Sequence, residues 1–340
     1  MPAFDVSIHS SRPLENTRTA PDDFAKAVRN GLTRSPKELP STYLYDAVGS
    51  ALFEVITLLP EYGLTRADER LLRHWAPAIV QQLPRSLLVA ELGSGSGRKT
   101  RWLLEALASR QRVSYFPIDV SATALLKCRQ ELAELGAVSL VGLEASYLDG
   151  LQQVSARRRP GQSLLVLFLG STIGNFAALQ AECFLREIRR RQKPGDMLLI
   201  GADLEKDVKT MLLAYADPTG VTAAFNLNLL ARINRELGAD FKLSSFEHVV
   251  RYDAAARRME MHLRSRHRQT VSIPSADVVC QFREGETIWT ETCHKFRVGE
   301  LDGLAERTGF APLMRWVDQE WAFAENLWMA VPHAGLNADP

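Results

Sequence analysis

Leu87-Leu88-Val89-Ala90-Glu91-Leu92-Gly93-Ser94-Gly95-Ser96-Gly97 is the stretch that decides the fold of this chain. The apolar run Leu87 to Leu92 has the length and bulk of a buried strand. It stops at three alternating glycines, and Arg98 to Leu107 then reads as a helix. A strand, a tight glycine turn and a helix bring bare backbone up to a nucleotide or nucleoside. Glycine suits that turn because a side chain would block the approach and because such turns use positive φ. An ordinary βα turn that binds nothing has the same pattern, so the rest of the chain must decide.

Downstream, strand and helix alternate. Val113–Ile118 is a strand ending at Asp119, Val138–Val141 a weaker one, Ser163–Gly170 the most apolar, and Met197–Gly201 another. Helices fit at 121–135, 177–192 and 204–215. These strands are continuous apolar runs rather than alternating ones, as expected of a parallel sheet covered on both faces. Upstream, Phe24, Val28 and Leu32 mark a helix from Pro21, and the later half of Tyr43–Ile56 marks another. Arg66 to Gln82 is a third, with Thr65 as its cap and Leu71, Leu72, Trp75 and Ile79 on its apolar face.

After Asp217-Pro218-Thr219-Gly220 the pattern changes. Ala223 to Leu237 is helical, and 246–252, 258–265, 269–273 and 285–296 alternate like strands. A smaller β-rich unit is thus inserted late in an α/β domain. The end offers a helix at 304–308 and strands at 310–316 and 321–331, which could rejoin the main sheet as an antiparallel pair.

The 340 residues carry a formal charge of +1, which disfavours a polyanionic partner such as nucleic acid. The four cysteines, Cys128, Cys183, Cys280 and Cys293, have neither zinc-site nor disulfide-framework spacing; they suit a reducing cytoplasm and suggest no metal. The start of the chain shows no signal peptide, and no run approaches the roughly 20 apolar residues that span a bilayer. A monomer is expected.

Two ligands compete for the glycine turn. A dinucleotide fingerprint spaces its glycines as G-x-G-x-x-G. Here the third glycine comes one place early, and Glu91 precedes the first. An acid there does not suit a pyrophosphate; it suits a ligand with a positive centre or with donors to be held. Glu91-x-Gly93-x-Gly95-x-Gly97 resembles the first motif of class I S-adenosylmethionine-dependent methyltransferases, and Asp119 stands where their ribose-binding acid ends the second strand. A helix N-cap is the plainer role for Asp119, but Ser121 could cap instead.

The wider resemblance is more specific. It rests on Phe168-Leu169-Gly170-Ser171-Thr172-Ile173-Gly174-Asn175-Phe176, Gly201 to Asp207, Ala214 to Asp217 with Gly220 to Asn226, and Thr290 to Phe296. With Tyr45-Asp46 and Leu59-Pro60-Glu61-Tyr62 these blocks resemble the L-histidine Nα-methyltransferase family of ergothioneine biosynthesis. The resemblance implies three successive methyl transfers from S-adenosylmethionine to histidine, through its mono- and dimethyl forms, giving hercynine and S-adenosylhomocysteine. It implies an α/β fold: a Rossmann-like methyltransferase domain over 67–204 and 296–331, and a smaller α+β substrate-binding domain over 21–66 and 205–295. An arm over 1–20 and a tail over 332–340 complete the chain.

By the same resemblance Asn175 and Tyr215 hold the substrate carboxylate, and Tyr45 and Tyr62 lie around the amino group and ring. Thr222 and Met261 line the pocket, and Glu291 bonds the imidazole. An amide and a phenol are neutral donors that place no charge beside a sulfonium. Glu91, Gly93, Ser94, Gly95, Lys99, Asp119, Ser146, Tyr147 and Gly170 are the implied cofactor positions. Two places depart from the family: Cys293 stands where a serine is usual, and Ser146 where an acid near adenine is expected. Cys293 keeps open a same-fold methyltransferase acting on another amino acid or an indole amine such as tryptophan. A nicotinamide-dependent oxidoreductase and a non-catalytic cofactor-binding protein are the remote alternatives.

Overall fold

The computed structural model describes residues 21–332, so the arm over 1–20 and all of the expected tail except Pro332 lie outside the described residues. The chain divides into two compact units. Of the described residues, one comprises Arg66–Leu204 and 296–332, and the other comprises 21–65 and Glu205–Lys295.

The first unit is built on an eight-stranded sheet. Its order is Phe310–Asp318, Phe323–Ala330, Met197–Asp203, Ser163–Phe168, Leu87–Leu92, Val113–Asp119 and Val138–Leu140, with Leu143–Glu144 also paired to Val113–Asp119. The strands from 197–203 to 138–140 run parallel, and the last two in sequence rejoin as the expected antiparallel pair. Every residue of Leu87–Leu92 is buried, so each large apolar side chain there contributes about 1.5–3 kcal/mol. Its neighbours are 113–119 on one side and 163–168 on the other. Strand order therefore reverses at Leu87–Leu92, and ligands of open α/β sheets bind beyond the carboxyl end of such a strand. The glycine turn occupies that end. One face of the sheet packs Leu88, Val166, Phe168, Ile200 and Trp328 into the core.

The second unit centres on the helix Val221–Leu237, which starts and ends at left-handed Gly220 and Gly238. It packs against Ala47–Ile56 and a four-stranded sheet of order Lys37–Glu38, Thr287–His294, Arg258–Ser265 and Phe246–Asp253. Asp46 accepts from the Gly49 N–H and from the side chains of Asn228 and Arg235, at 2.6–2.7 Å. It thus caps one helix and ties it to the other.

Several local expectations are corrected. The third helix begins at Leu64, which puts Thr65 inside its first turn rather than at its cap. The helix after the glycine turn starts at Arg101, because the chain needs Arg98 to Thr100 to leave the turn. Asp207 caps the helix Val208–Tyr215, which shortens the helix expected at 204–215. Besides the two-residue strands Lys37–Glu38 and Leu143–Glu144, two longer elements were not expected. Tyr147–Ala156 is a helix, and Val278–Phe282 is a strand paired antiparallel with Gln269–Ile273.

Candidate active site

In the first unit the turn after Leu92 is left-handed at Gly93, Gly95 and Gly97, with φ between +54° and +74°. The glycines serve different ends. A Cβ on Gly97 would lie 2.6 Å from the Cys128 sulfur, and one on Gly93 would lie 3.1 Å from the Tyr147 hydroxyl. A Cβ on Gly95 would meet nothing within 4 Å, so that side of the turn faces open space. The Gly95 N–H donates to Asp119 Oδ2 at 3.1 Å, and the Ser121 N–H donates to Asp119 Oδ1 at 2.9 Å. Ser121 caps the helix Ala122–Glu131, which leaves Asp119 out of that role. Burial raises the Asp119 carboxyl above its ordinary value, partly offset by these backbone donors.

Glu91 is buried just before the turn. Its carboxyl is 1% exposed, accepts from the Thr100 hydroxyl at 2.7 Å and is also held by the Tyr115 hydroxyl. Burial pushes it up to about 7 against those two donors. Both carboxyl oxygens are thus held by hydroxyls of the chain itself. Ser94 is buried with its hydroxyl beside the Cys128 thiol. The Ser146 hydroxyl caps the helix Tyr147–Ala156 and donates to Asp149 Oδ2 at 2.6 Å. Tyr147 packs edge-on against Phe168 and Phe184, and burial lifts its phenol to about 12.

Gly170 follows the end of the neighbouring strand at φ +73°, and its N–H donates to Asp68 Oδ2 at 2.9 Å. The Lys99 ammonium donates to the same oxygen at 2.6 Å. Asn175 closes the turn Thr172–Asn175 and is half-buried; its amide takes no partner among the described residues.

The second unit gathers most of the expected substrate residues. The strand Thr287–His294 bulges between Trp289 and Glu291, and Glu291 faces Met261 on the adjacent strand. Beyond the bulge Glu291, Cys293 and Lys295 are buried in alternation, on one face. The Tyr45 hydroxyl donates to Glu291 Oε1 at 3.3 Å, and the Tyr45 ring meets Phe53 and Phe225 edge-on. Tyr62 lies edge-on to Phe53 and Tyr215. Thr222 is buried in the first turn of Val221–Leu237, its N–H donating to Asp217 Oδ1 at 2.8 Å.

Sequence reasoning gave Lys295 no role. It is fully buried, and its ammonium donates to the Tyr215 hydroxyl at 2.9 Å and to the Cys293 sulfur at 3.3 Å. A cation therefore stands behind Tyr215, which corrects the picture of neutral donors alone. The period-two spacing of 291, 293 and 295 was the signal that could have found it. His248 was missed too. Burial lowers its pKa, its Nε2–H donates to the Tyr215 carbonyl at 2.8 Å, and Nδ1 accepts from Asn226 at 2.9 Å. A neutral imidazole of fixed tautomer thus holds the backbone of Tyr215.

Burial lifts Glu291 to about 7, with the Tyr45 hydroxyl and the Lys295 charge pulling the other way. Such a group can accept from a ring N–H or, protonated, donate to a ring nitrogen. Among the described residues no three His, Cys, Asp or Glu side chains are placed to hold a metal, and no helix is long and apolar enough to cross a membrane.

The sequence matches the family described as histidine-specific methyltransferase, SAM-dependent, over residues 24–330. It is 40% identical over 311 residues to the histidine N-alpha-methyltransferase of Mycolicibacterium smegmatis, covering 91% of this chain and 95% of that one. Ergothioneine biosynthesis protein 1 of Neurospora crassa is 35% identical over 204 residues, 60% of this chain and 23% of that longer protein. L-tryptophan methyltransferase trpM of Psilocybe serbica is 26% identical, covering 86% of this chain and 89% of that one.

Proposed function

Because this chain belongs to the histidine-specific, S-adenosylmethionine-dependent methyltransferases, we propose that it methylates the α-amino group of L-histidine three times, giving hercynine for ergothioneine biosynthesis. The observation that carries the choice of acceptor is Glu291, a buried carboxyl near 7 with a phenol on one oxygen, set among Tyr45, Met261 and Cys293. A carboxyl that is half ionised at neutral pH matches an imidazole, which also titrates there.

The first unit fits the cofactor. The open face of the turn at Gly95 and the acid beside it leave room and an acceptor for a nucleoside, where a larger residue at Gly95 would intrude. Gly93, Ser94 and Gly95 would hold it through backbone, Asp119 through the ribose hydroxyls, and Tyr147, Gly170 and Lys99 would line its remaining length. When bound, S-adenosylmethionine supplies a methyl group already activated by a sulfonium, so this chain needs no covalent catalysis of its own. Its residues have to align the amine with the methyl group and the sulfur. Asn175 and Tyr215 are assigned to the substrate carboxylate, with Lys295 donating to the Tyr215 oxygen so that the phenol proton is left to donate. Tyr45 and Tyr62 are assigned to orienting the amine, and Thr222 and Met261 to the wall. Each transfer forms one N–C bond, breaks one S–C bond and releases one proton, which leaves through water.

A second reading, methylation of an indole amine, is favoured by Cys293 alone: a thiol is a poorer hydrogen-bonding group than the serine usual there. The enzyme is read as a cytoplasmic monomer with free thiols at all four cysteines. The experiment is mass spectrometry of a reaction with S-adenosylmethionine and a panel of amino acids. Gains of one, two and three methyls on histidine support the proposal; gain on tryptophan alone supports the second reading, and gain on no amine defeats both.

A further inference from the structure

Two buried carboxyls in the first unit have no part in the roles assigned so far. Asp68, on the helix Leu64–Gln82, and Glu325, on the strand Phe323–Ala330, are both fully buried. Asp68 Oδ2 receives the Lys99 ammonium and the Gly170 N–H together. Glu325 pairs across the sheet with Gly201, and a Cβ there would stand 2.8 Å from Glu325 Oε1 and 3.2 Å from the Gly170 nitrogen. A Cβ on Gly170 would stand 2.8 Å from the Lys99 ammonium. Both glycines therefore leave room for this cluster, and the cluster borders the end of the strand Ser163–Phe168.

The hydrogen bonds do not close without a proton. Asp68 Oδ1 and both Glu325 oxygens are buried and meet no donor among the described residues. Two ionised carboxyls beside one ammonium, with Glu91 close by, would leave net negative charge in a dry interior. Burial and the Asp68 charge push Glu325 far above the ordinary carboxyl range, so Glu325 carries the proton. Its O–H then supplies the donor that Asp68 Oδ1 lacks. What remains is one carboxylate, one ammonium and one neutral acid. Lys99 opens furthest to solvent, keeping 22% of its side-chain exposure while Asp68 keeps none.

We propose that Asp68 and Glu325 are positioning residues, a carboxyl pair sharing one proton that anchors Lys99 beside Gly170 so that its ammonium receives the carboxylate of the cofactor's amino-acid end. This rests on the reading of the glycine turn and Gly170 as the cofactor cradle. Asp68 fixes where the ammonium sits. The proton on Glu325 keeps a second negative charge from opposing an incoming carboxylate.

The test is calorimetric titration of two ligands, S-adenosylhomocysteine and 5′-methylthioadenosine, which lacks the amino-acid end. The proteins are wild type, Glu325→Gln, Glu325→Leu and Asp68→Asn. Glu325→Gln keeps a donor toward Asp68 and should hold S-adenosylhomocysteine within about twofold of wild type. Glu325→Leu and Asp68→Asn should weaken it by about tenfold or more, the scale of a lost hydrogen bond to a charged group, and leave 5′-methylthioadenosine within about twofold. Equal losses for both ligands would mean a merely structural role and overturn the proposal. Tighter S-adenosylhomocysteine binding by Asp68→Asn would mean that the acid only screens Lys99, and would overturn it as well. Should Glu325→Leu fail to fold, Asp68→Asn and Glu325→Gln decide: a Gln variant as weak as Asp68→Asn defeats the shared proton. Wild type that binds neither ligand would instead defeat the cradle reading beneath it.

Discussion

Glu291→Gln removes a charge and keeps the shape, and it should make the ligand-free protein more stable at alkaline pH while it cripples histidine binding. Burial holds the Glu291 carboxyl at about 7, against an ordinary value of 4.5. The folded chain therefore binds this proton more tightly than the unfolded chain does. Below about pH 4.5 both states carry the proton and Glu291 adds no cost. As pH rises from about 4.5 to 7 the unfolded state releases it first, so stability falls through that window, and above it the full cost is present. A gap of that size, at about 1.4 kcal/mol per pH unit, corresponds to about 3 kcal/mol as an upper value. Glutamine lacks this cost. In urea denaturation without ligand, Glu291→Gln should match wild type near pH 4.5 and exceed it by up to about 3 kcal/mol at pH 8.5. Histidine affinity at pH 8.5 should fall by roughly 1.5–3 kcal/mol, since an amide cannot replace an ionised acceptor. A stability difference that is the same at both pH values would refute the buried, near-neutral carboxyl. Unchanged histidine affinity would remove Glu291 from the site.

Four further outcomes follow from the geometry. Gly97→Ala meets the Cys128 sulfur at 2.6 Å, so thermal melts should show a larger loss than for Gly95→Ala, which has the same left-handed strain of about 1–2 kcal/mol but open space; calorimetry should show the Gly95 variant losing S-adenosylhomocysteine instead. Tyr115→Phe strips a donor from Glu91 and should cost about 1–3 kcal/mol at pH 8, where that carboxyl is ionised, and less at pH 5, read by denaturation at both. Lys295→Met removes the donor to Tyr215 and Cys293, and steady-state kinetics should show the KM for histidine rising about tenfold or more, with S-adenosylhomocysteine binding unaltered. Cys293→Ser restores a hydroxyl, and competition kinetics should show kcat/KM for histidine rising relative to tryptophan; a fall would mean that the thiol itself is the better ring partner.

What the sequence determines here is what acts over a few neighbouring residues. Six residues that are apolar except for Glu91 read as a strand buried on both faces, and three alternating glycines after it read as a turn of positive φ. The α/β class and the family resemblance follow from such local patterns, taken in order. Elements with weak local patterns escaped: Val278–Phe282 is short, and Tyr147–Ala156 opens on a serine whose capping role is indistinguishable in sequence from a ligand contact. Tertiary structure alone decided where charges meet. Glu91 turns inward because Tyr115 and Thr100 arrive from the next strand and the next helix. Lys295 reaches Tyr215 because a strand end and a helix end converge, and Glu325 reaches Asp68 because its strand pairs with Gly201 in one register. A burial pattern can be read along the chain, since each residue needs only its own face. A hydrogen bond between distant side chains depends on sheet register, and no single stretch of sequence carries that.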